Sequence, residues 1–449
     1  MSDAIATTSA GASSGRLRAD VAVIGAGPAG IAAAVRAADA GASVVVLDEG
    51  MRPGGQIWHH RTRAGLPRLA RDWLDALDRS AATVVCGASV VDIEPGFRLA
   101  AEVRGAPLTV DAGTVILATG ARERFLPFPG WTLPGVVGVG GAQALLKSGA
   151  SFAGKRIVIA GSGPLLLPVA ASLARAGARI AIVAEQAPAA AVRRFGAGLW
   201  RTPGKIAQAA RYRAAFRATR YAWGTWATRA AGDDAVREVT LTDGRHTWVE
   251  PCDVLCTGYG LVPSTELARL AGCAIDRGRV VVDARQRTSI PGIYCAGEPT
   301  GIAGVEASLI EGEIAGLAAV GRARKAIERL DAARRRQRRF ADRLDAAFAP
   351  RAELRSLAAA DTIICRCEDV TAGRLRPEWS QRQAKLYTRA GMGPCQGRIC
   401  GAALEHLFGW DAGTVRAPAV ATRLATLIAE PTPDDAGDCP TQNRTKGAS

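Results

Sequence analysis

Three features of the chain predict an α/β fold. Residues 19–34 read as an apolar strand, a glycine turn and a small-residue helix, followed by a second strand at 42–49, and residues 154–185 repeat the same order. Strand-like segments recur at 113–123 ("GTVILATGARE"), 252–265 ("CDVLCTGYGLVPST") and 290–299 ("IPGIYCAGEP"). Four cysteines gather between 365 and 400. Two βαβ units with strands returning after the second predict two dinucleotide-binding, Rossmann-like domains, one inserted in the other, and a small C-terminal helical module.

The 449 residues are too many for one core, and 48% apolar residues with few aromatics fit a globular α/β chain. The first unit is expected at 19–150 and 245–320, and the inserted unit at 151–244. A charged helical connector follows at 321–356, where Phe340, Leu344 and Phe348 form one apolar stripe on an otherwise solvated helix. The cysteine module is expected at 357–430. Residues 1–18 and 431–449 read as tails, the first disordered and the second polar.

The opening residues lack the apolar stretch of a signal peptide, so a reducing cytoplasm is expected, and clustered cysteines there mean metal or redox chemistry. The uncharged run from Ile157 to Ala174 is near the length of a membrane span, but its interior "GSGP" makes strand, turn and helix the better reading. The net charge of +15 comes mostly from Arg. No nucleic-acid-binding motif accompanies it, so it reads as composition, or as attraction for an acidic protein partner.

In "GAGPAG", Gly25 permits the tight turn, Gly27 lets backbone approach a pyrophosphate, and Gly30 allows helix and strand to pack closely. The helix that follows offers N–H groups and a positive dipole end to phosphates. An acidic side chain that accepts from a ribose hydroxyl is expected at the end of the next strand, as Asp48 or Glu49. In the second turn, "GSGPLLL", Gly161 and Gly163 match the first two glycines, but Leu166 stands at the third position. Leu166 is expected to push the helix away and crowd the pyrophosphate. Three readings follow for this turn: an NAD(P)H site, a structural relic, or a site for another adenine nucleotide.

Cys365 and Cys367 in "IICRCEDV" and Cys395 and Cys400 in "GMGPCQGRICG" can close one metal centre. Zinc sites more often use C-x₂-C knuckles, whereas C-x-C with C-x₄-C suits a 2Fe-2S cluster, whose irons each take two thiolates. Zinc and a metal-free module are the alternatives. Gly391, Gly393, Gly397 and Gly401 let amides turn toward the sulfurs, and Arg366 and Arg398 add positive charge. Cys439, in the tail, is expected to take no part. Cys86, Cys252, Cys256, Cys273 and Cys295 read as buried inert thiols. His59 and His60, after "GGQIW", read as surface or packing residues, with approach to a nucleotide bound at the first turn as the alternative.

"GAGPAG", "RPGGQ" (52–56), "ILATGARE" (116–123) and "SIPGIYCAGE" (289–298) occur in the order of the two-dinucleotide flavoproteins that include thioredoxin-reductase-like and pyridine-nucleotide disulfide reductases, and the chain resembles that superfamily over 19–320. The resemblance implies FAD in the first site, with Gly55, Gln56, Thr119 and Gly120 in its motifs and Gly297 and Glu298 near the ribityl-phosphate. The superfamily usually has Asp where Glu298 stands. No redox CxxC lies within 1–320, so disulfide reduction is disfavoured.

The cysteine module resembles the bacterioferritin-associated ferredoxin type of 2Fe-2S domain. With "PGWTLPGVVGVGGAQALLKSG" (129–149), "AGSGPLLLPVA" (160–170) and "TRAGMGPCQGRICG" (388–401), the chain resembles the larger flavoprotein component of heteromeric amine dehydrogenases, the opine oxidase, hydroxyproline dehydrogenase and hydrogen cyanide synthase group. That resemblance implies an oxidoreductase acting on CH–NH donors as part of a complex. A partner flavoprotein oxidises the amine, and this chain relays electrons through FAD and 2Fe-2S to a quinone or other acceptor. A small ferredoxin-like component is an optional further partner, and a peripheral inner-membrane position through the complex is the alternative to a cytoplasmic one. Opine, hydroxyproline, sarcosine, glycine and D-amino acids stay open as substrates, and no catalytic residue for amine oxidation is assigned. The rival reading is a self-contained NAD(P)H-dependent reductase feeding a ferredoxin-like acceptor; the third is an assembly or redox-sensing module.

Overall fold

The computed structural model describes residues 15–411 and 415–428. Most of the tail expected at 1–18, all of 431–449 and Cys439 lie outside them. Residues 15–18 are already strand, because Gly15–Ile24 pairs along its whole length with Ala106–Leu117.

The first sheet has seven strands. Val44–Asp48 and Thr83–Cys86 lie on one side of Gly15–Ile24, and Ala106–Leu117 lies on the other. The late strand Ile293–Cys295 pairs parallel with Ala106–Leu117, so the chain closes its first sheet after a long excursion. Val44–Asp48 is buried at every position, as expected of a parallel strand covered on both faces. The helices Pro28–Asp39 and Val305–Ala319 cover one face, crossing where Gly312 and Gly316 leave room for the carbonyls of Ala29 and Ala33.

The second sheet has five parallel strands. Its central strand, Arg156–Gly161, lies between Arg179–Glu185 and Val254–Gly258, with Arg220–Trp223 and Val136–Gly138 at the edges. The second sheet therefore takes two of its five strands from outside 151–244. Val136–Gly138 and Val254–Gly258, expected in the first unit, pair in the second sheet, and helix Val139–Lys147 packs there too. Short apolar strands carry no mark in sequence of which parallel sheet will receive them. A three-stranded antiparallel sheet (Trp226–Ala231, Glu238–Thr242, Thr247–Pro251) completes the unit.

The connector is one helix, Arg324–Ala347. Its stripe meets Phe195 of the second unit, with ring centroids 5.8 Å (Phe340) and 5.9 Å (Phe348) away. The C-terminal module pairs strands Ile363–Cys365 and Val370–Thr371 and adds helices Gln381–Thr388 and Cys400–Phe408 around a small core of Ile364, Val370, Ala384, Leu404 and Trp410. Ser380 and Gln383 cap the first of these helices reciprocally. Among the described residues, no helix is long and apolar enough to cross a membrane, and Ile157–Ala174 is strand, turn and helix.

Candidate functional site

The first glycine turn is tight because its backbone leaves no room for side chains. A Cβ at Gly25, whose φ is +103°, would lie 2.3 Å from the Ala118 carbonyl oxygen, and one at Gly30 would lie 1.7 Å from that of Gly25. Gly27 differs, since its nearest neighbour is the Cα of Gly55, 3.9 Å from a Cβ built there. A Cβ at Gly55 would in turn lie 2.9 Å from Gly27 Cα, so the two glycines pack backbone to backbone, and the side of Gly27 where its own Cβ would stand forms a cradle free of close contacts that a pyrophosphate can approach. Thr119 adjoins Gly25, and a Gly297 Cβ would touch Ala29 at 2.8 Å. Residues from four separated motifs meet at one turn, and Gln56 lies exposed on its rim.

The acidic position has a second task besides the expected ribose contact. Asp48 is buried and accepts from the N–H groups of Ala26 and Gly50 (2.7 Å to Gly50), so it braces the glycine turn, and burial raises its pKa. Glu49 is exposed beside it. Glu298 is half-buried, with Oε1 accepting from Gly304 N–H at 3.0 Å and the buried Oε2 left without a partner. Burial pushes its pKa up. An orphaned carboxylate oxygen costs free energy unless a ligand satisfies it, and a ribityl hydroxyl would do so. The cradle and this atom together fit FAD.

Two residues that sequence reasoning missed hold the Gly297 turn. Fully buried Glu311 accepts from Gly297 N–H at 3.0 Å and pairs with Arg338 of the connector at 2.6 Å. Arg338 also donates to the Gly301 carbonyl (2.6 Å) and to Thr300. Within an Arg-rich helix nothing in sequence distinguishes Arg338 from its solvated neighbours.

At the second turn, a Gly161 Cβ would lie 2.0 Å from the Gly258 carbonyl oxygen, so strand packing alone demands that glycine. Gly163 N–H and Ala187 N–H donate to buried Glu185 at 2.8 and 2.9 Å. Leu166 does not push the helix off the strand. The helix begins at Leu166, five residues after Gly161, whereas the first helix begins three residues after Gly25, and the leucine drops into the core with Ile157, Ile159 and Val183.

The four C-terminal cysteines come together as two pairs. Cys365 lies beside Cys400 and Cys367 beside Cys395, and Gly391 N–H donates to Cys365 Sγ at 3.4 Å. Among the described residues, no three Cys, His, Asp or Glu side chains converge as a single metal ion would need. The Cys365 thiol is drawn down to about 6, first by Cys400 and then by the N–H groups of Gly391, Glu368 and Cys367, against burial. A Gly393 Cβ would strike Cys367 at 2.3 Å, so this loop closes only with glycine there. Cys365 and Cys400 are buried, while Cys367 is exposed.

The other described cysteines form no disulfide, and Cys273 Sγ donates to Thr288 Oγ1 at 3.5 Å. Burial raises their pKa values, that of Cys86 to about 11 and that of Cys252 to about 12. They are therefore poor ligands and nucleophiles. His59 bonds Ser148 (3.2 Å), and His60 bonds the Trp58 carbonyl (2.7 Å).

The cysteine module is docked on the first site. Arg122, two residues past Gly120, donates from Nε to the Arg398 carbonyl at 2.9 Å, between Cys395 and Cys400, and pairs with Glu266 at 2.6 Å. Trp131 donates to the Ile363 carbonyl at 2.6 Å, and Ala419 N–H to the Val91 carbonyl at 2.7 Å.

Residues 19–329 match the pyridine nucleotide-disulphide oxidoreductase family, and residues 363–410 match the BFD-like [2Fe-2S] binding domain. The chain belongs to the pyridine nucleotide-disulphide oxidoreductase family. This family member is 34% identical to the A component of opine oxidase from Agrobacterium tumefaciens (strain Ach5), covering 91% of each chain. It is also 34% identical to the HcnB component of hydrogen cyanide synthase from Pseudomonas aeruginosa, over 84% of this chain and 90% of that one. The fold is shared with L-proline dehydrogenase from P. horikoshii (TM-score 0.66, 21% identity, 93% of this chain and 81% of that one). The chain is thus a flavoprotein oxidoreductase that carries FAD and a 2Fe-2S cluster.

Proposed function

We propose that this chain is the electron-relaying flavoprotein subunit of a heteromeric amine or amino-acid dehydrogenase. The observation that carries the reading is the docking of the cluster loop on the flavin motif, through the bond from Arg122 to the Arg398 carbonyl. The identity to the opine oxidase component over nearly the whole chain supports it. Gly25, Gly27, Gly30, Gly55, Gln56, Thr119, Gly120, Gly297 and Glu298 would hold FAD, with Asp48 bracing the turn and Glu49 on its rim. Cys365, Cys367, Cys395 and Cys400 would hold the cluster.

When bound, FAD exchanges electrons in pairs or singly and the cluster exchanges them singly, which couples a two-electron donor to one-electron carriers. The protein supplies the rest. Arg122 fixes the distance between the two sites, and Glu311 with Arg338 holds the Gly297 turn against the first helix. The partner flavoprotein removes two electrons and two protons from an amine, leaving an imine, so no acid–base residue for that step is required here.

Copurification of the untagged partner, visible spectra of the complex and an amine screen test the reading. Amine-dependent bleaching of this chain's flavin only in the presence of the partner is expected. Rapid bleaching of the isolated chain by stoichiometric NADH would sink it and favour the self-contained reductase.

A further inference from the structure

The second glycine turn already has an occupant. Beyond the connector helix, the segment 348–351 runs across the mouth of the Ser162–Gly163 turn. Ser162 Oγ donates to the Phe348 carbonyl at 2.8 Å. Gln186 Nε2 donates to Ser162 Oγ at 2.7 Å and to the Ala349 carbonyl at 3.1 Å, and its Oε1 accepts from Arg351 N–H at 3.1 Å. Gln186 is fully buried, so its amide finds its partners in this segment and not in water. Phe348 lies 4.0 Å from the place of a Gly163 Cβ. Arg351 completes the seal, stacked 3.9 Å over the Trp226 ring and donating to the Gly224 carbonyl at 3.3 Å.

The donors a nucleotide would use are also committed. In a dinucleotide site, the N–H groups of the turn point at the pyrophosphate. Here Ser162 N–H is spent on the Gly258 carbonyl at 2.7 Å and Gly163 N–H on Glu185 at 2.8 Å, much as Ala26 N–H is on Asp48 in the first turn, so what sets this turn apart is the segment lying across its mouth.

We propose that this turn is a socket for the chain's own segment 348–351, and not a nucleotide site. The socket holds the end of the connector, and through it positions the cluster module that begins a few residues later. Leu354, fully buried with Leu126, Trp226 and Tyr259 directly after the seal, continues the same anchoring. The inference is independent of the amine-dehydrogenase reading, since it concerns which ligand the turn accepts whatever the electron donor.

The test uses the holoprotein with both cofactors bound. Titration with NADH, followed by nucleotide fluorescence, is expected to show no saturable binding up to about 1 mM. Limited trypsinolysis then compares the wild type with Ser162→Ala and with Ser162→Ala/Gln186→Ala, reading cleavage after Arg343 and Arg351 by mass spectrometry. Cleavage is expected to accelerate at least about tenfold in the double variant and less in the single one, with flavin and iron contents unchanged. Saturable NADH binding to the wild type, or equal cleavage rates in folded variants, overturns the proposal. If the double variant loses its cofactors, the single variant's cleavage rate decides.

Discussion

Gly30 has no space for even one methyl group. Its Cβ would lie 1.7 Å from a backbone carbonyl, which cannot rotate away, so the helix Pro28–Asp39 must move. Gly30→Ala is expected to cost about 1–3 kcal/mol, the usual range for overpacking, and to leave the purified protein largely without flavin, measured as flavin fluorescence released on denaturation. Gly65→Ala, where nothing lies within 4 Å, is the control and should change neither flavin content nor melting temperature. Glu185 makes a prediction about pH. Burial raises its pKa from 4.5 to about 7, so the folded state holds the proton more tightly than the unfolded chain. Its contribution to stability is full below pH 4.5 and is lost as pH rises through about 7. Comparing the wild type with Glu185→Gln by chemical denaturation between pH 4.5 and 7.5 should show the wild type losing stability relative to the variant as pH rises. Parallel pH profiles would contradict this.

The elements legible in the sequence are those with local signatures. Both glycine turns, the two βαβ units and the two cysteine loops announce themselves within about thirty residues, as supersecondary motifs do. What escapes is pairing over long separations. Arg122 reaches Arg398, Trp131 reaches Ile363 and Gln186 reaches the segment near 350, each between residues whose types are ordinary on their own. Leu166 misleads for a related reason, because a single odd residue does not reveal that the helix starts later and buries it. The docked module also adds His406, on helix Cys400–Phe408, whose Nε2 is buried without a partner. Burial first, and then Arg124 and Arg355, depress its pKa from 6.5 to about 4. A lowered histidine stabilises the fold above its unfolded pKa, and that stability is lost as pH falls from 6.5 toward 4. His406→Asn should therefore flatten the acid side of the wild-type stability profile over this interval; an unchanged slope would place His406 outside the docking energetics.

Across the whole molecule, the two large cores and the small one differ in what they can sustain alone. Each dinucleotide-type unit buries a parallel sheet between helices, whereas the cysteine module has one short strand pair, two helices and one small cluster of buried residues. A core of that size supplies little net stability, and a bound metal centre ordinarily supplies the remainder, since metal affinity is then folding free energy. Glu102 and Gly105 of the flavin unit hold Arg423 and Thr426 at the module's end, but within 363–410 the bonds of Arg122 to the Arg398 carbonyl and of Trp131, from the second unit's core, to the Ile363 carbonyl are too few to order it by themselves once its centre is lost. Removing iron with a chelator under reducing conditions should therefore raise hydrogen exchange across 363–410, while 19–120 and 290–320 stay protected and the flavin stays bound. The effect should reverse on reconstitution with iron and sulfide. A cluster-free protein with full protection at 363–410 would show that packing alone holds the module, and simultaneous loss of flavin would show that the two sites fold as one unit.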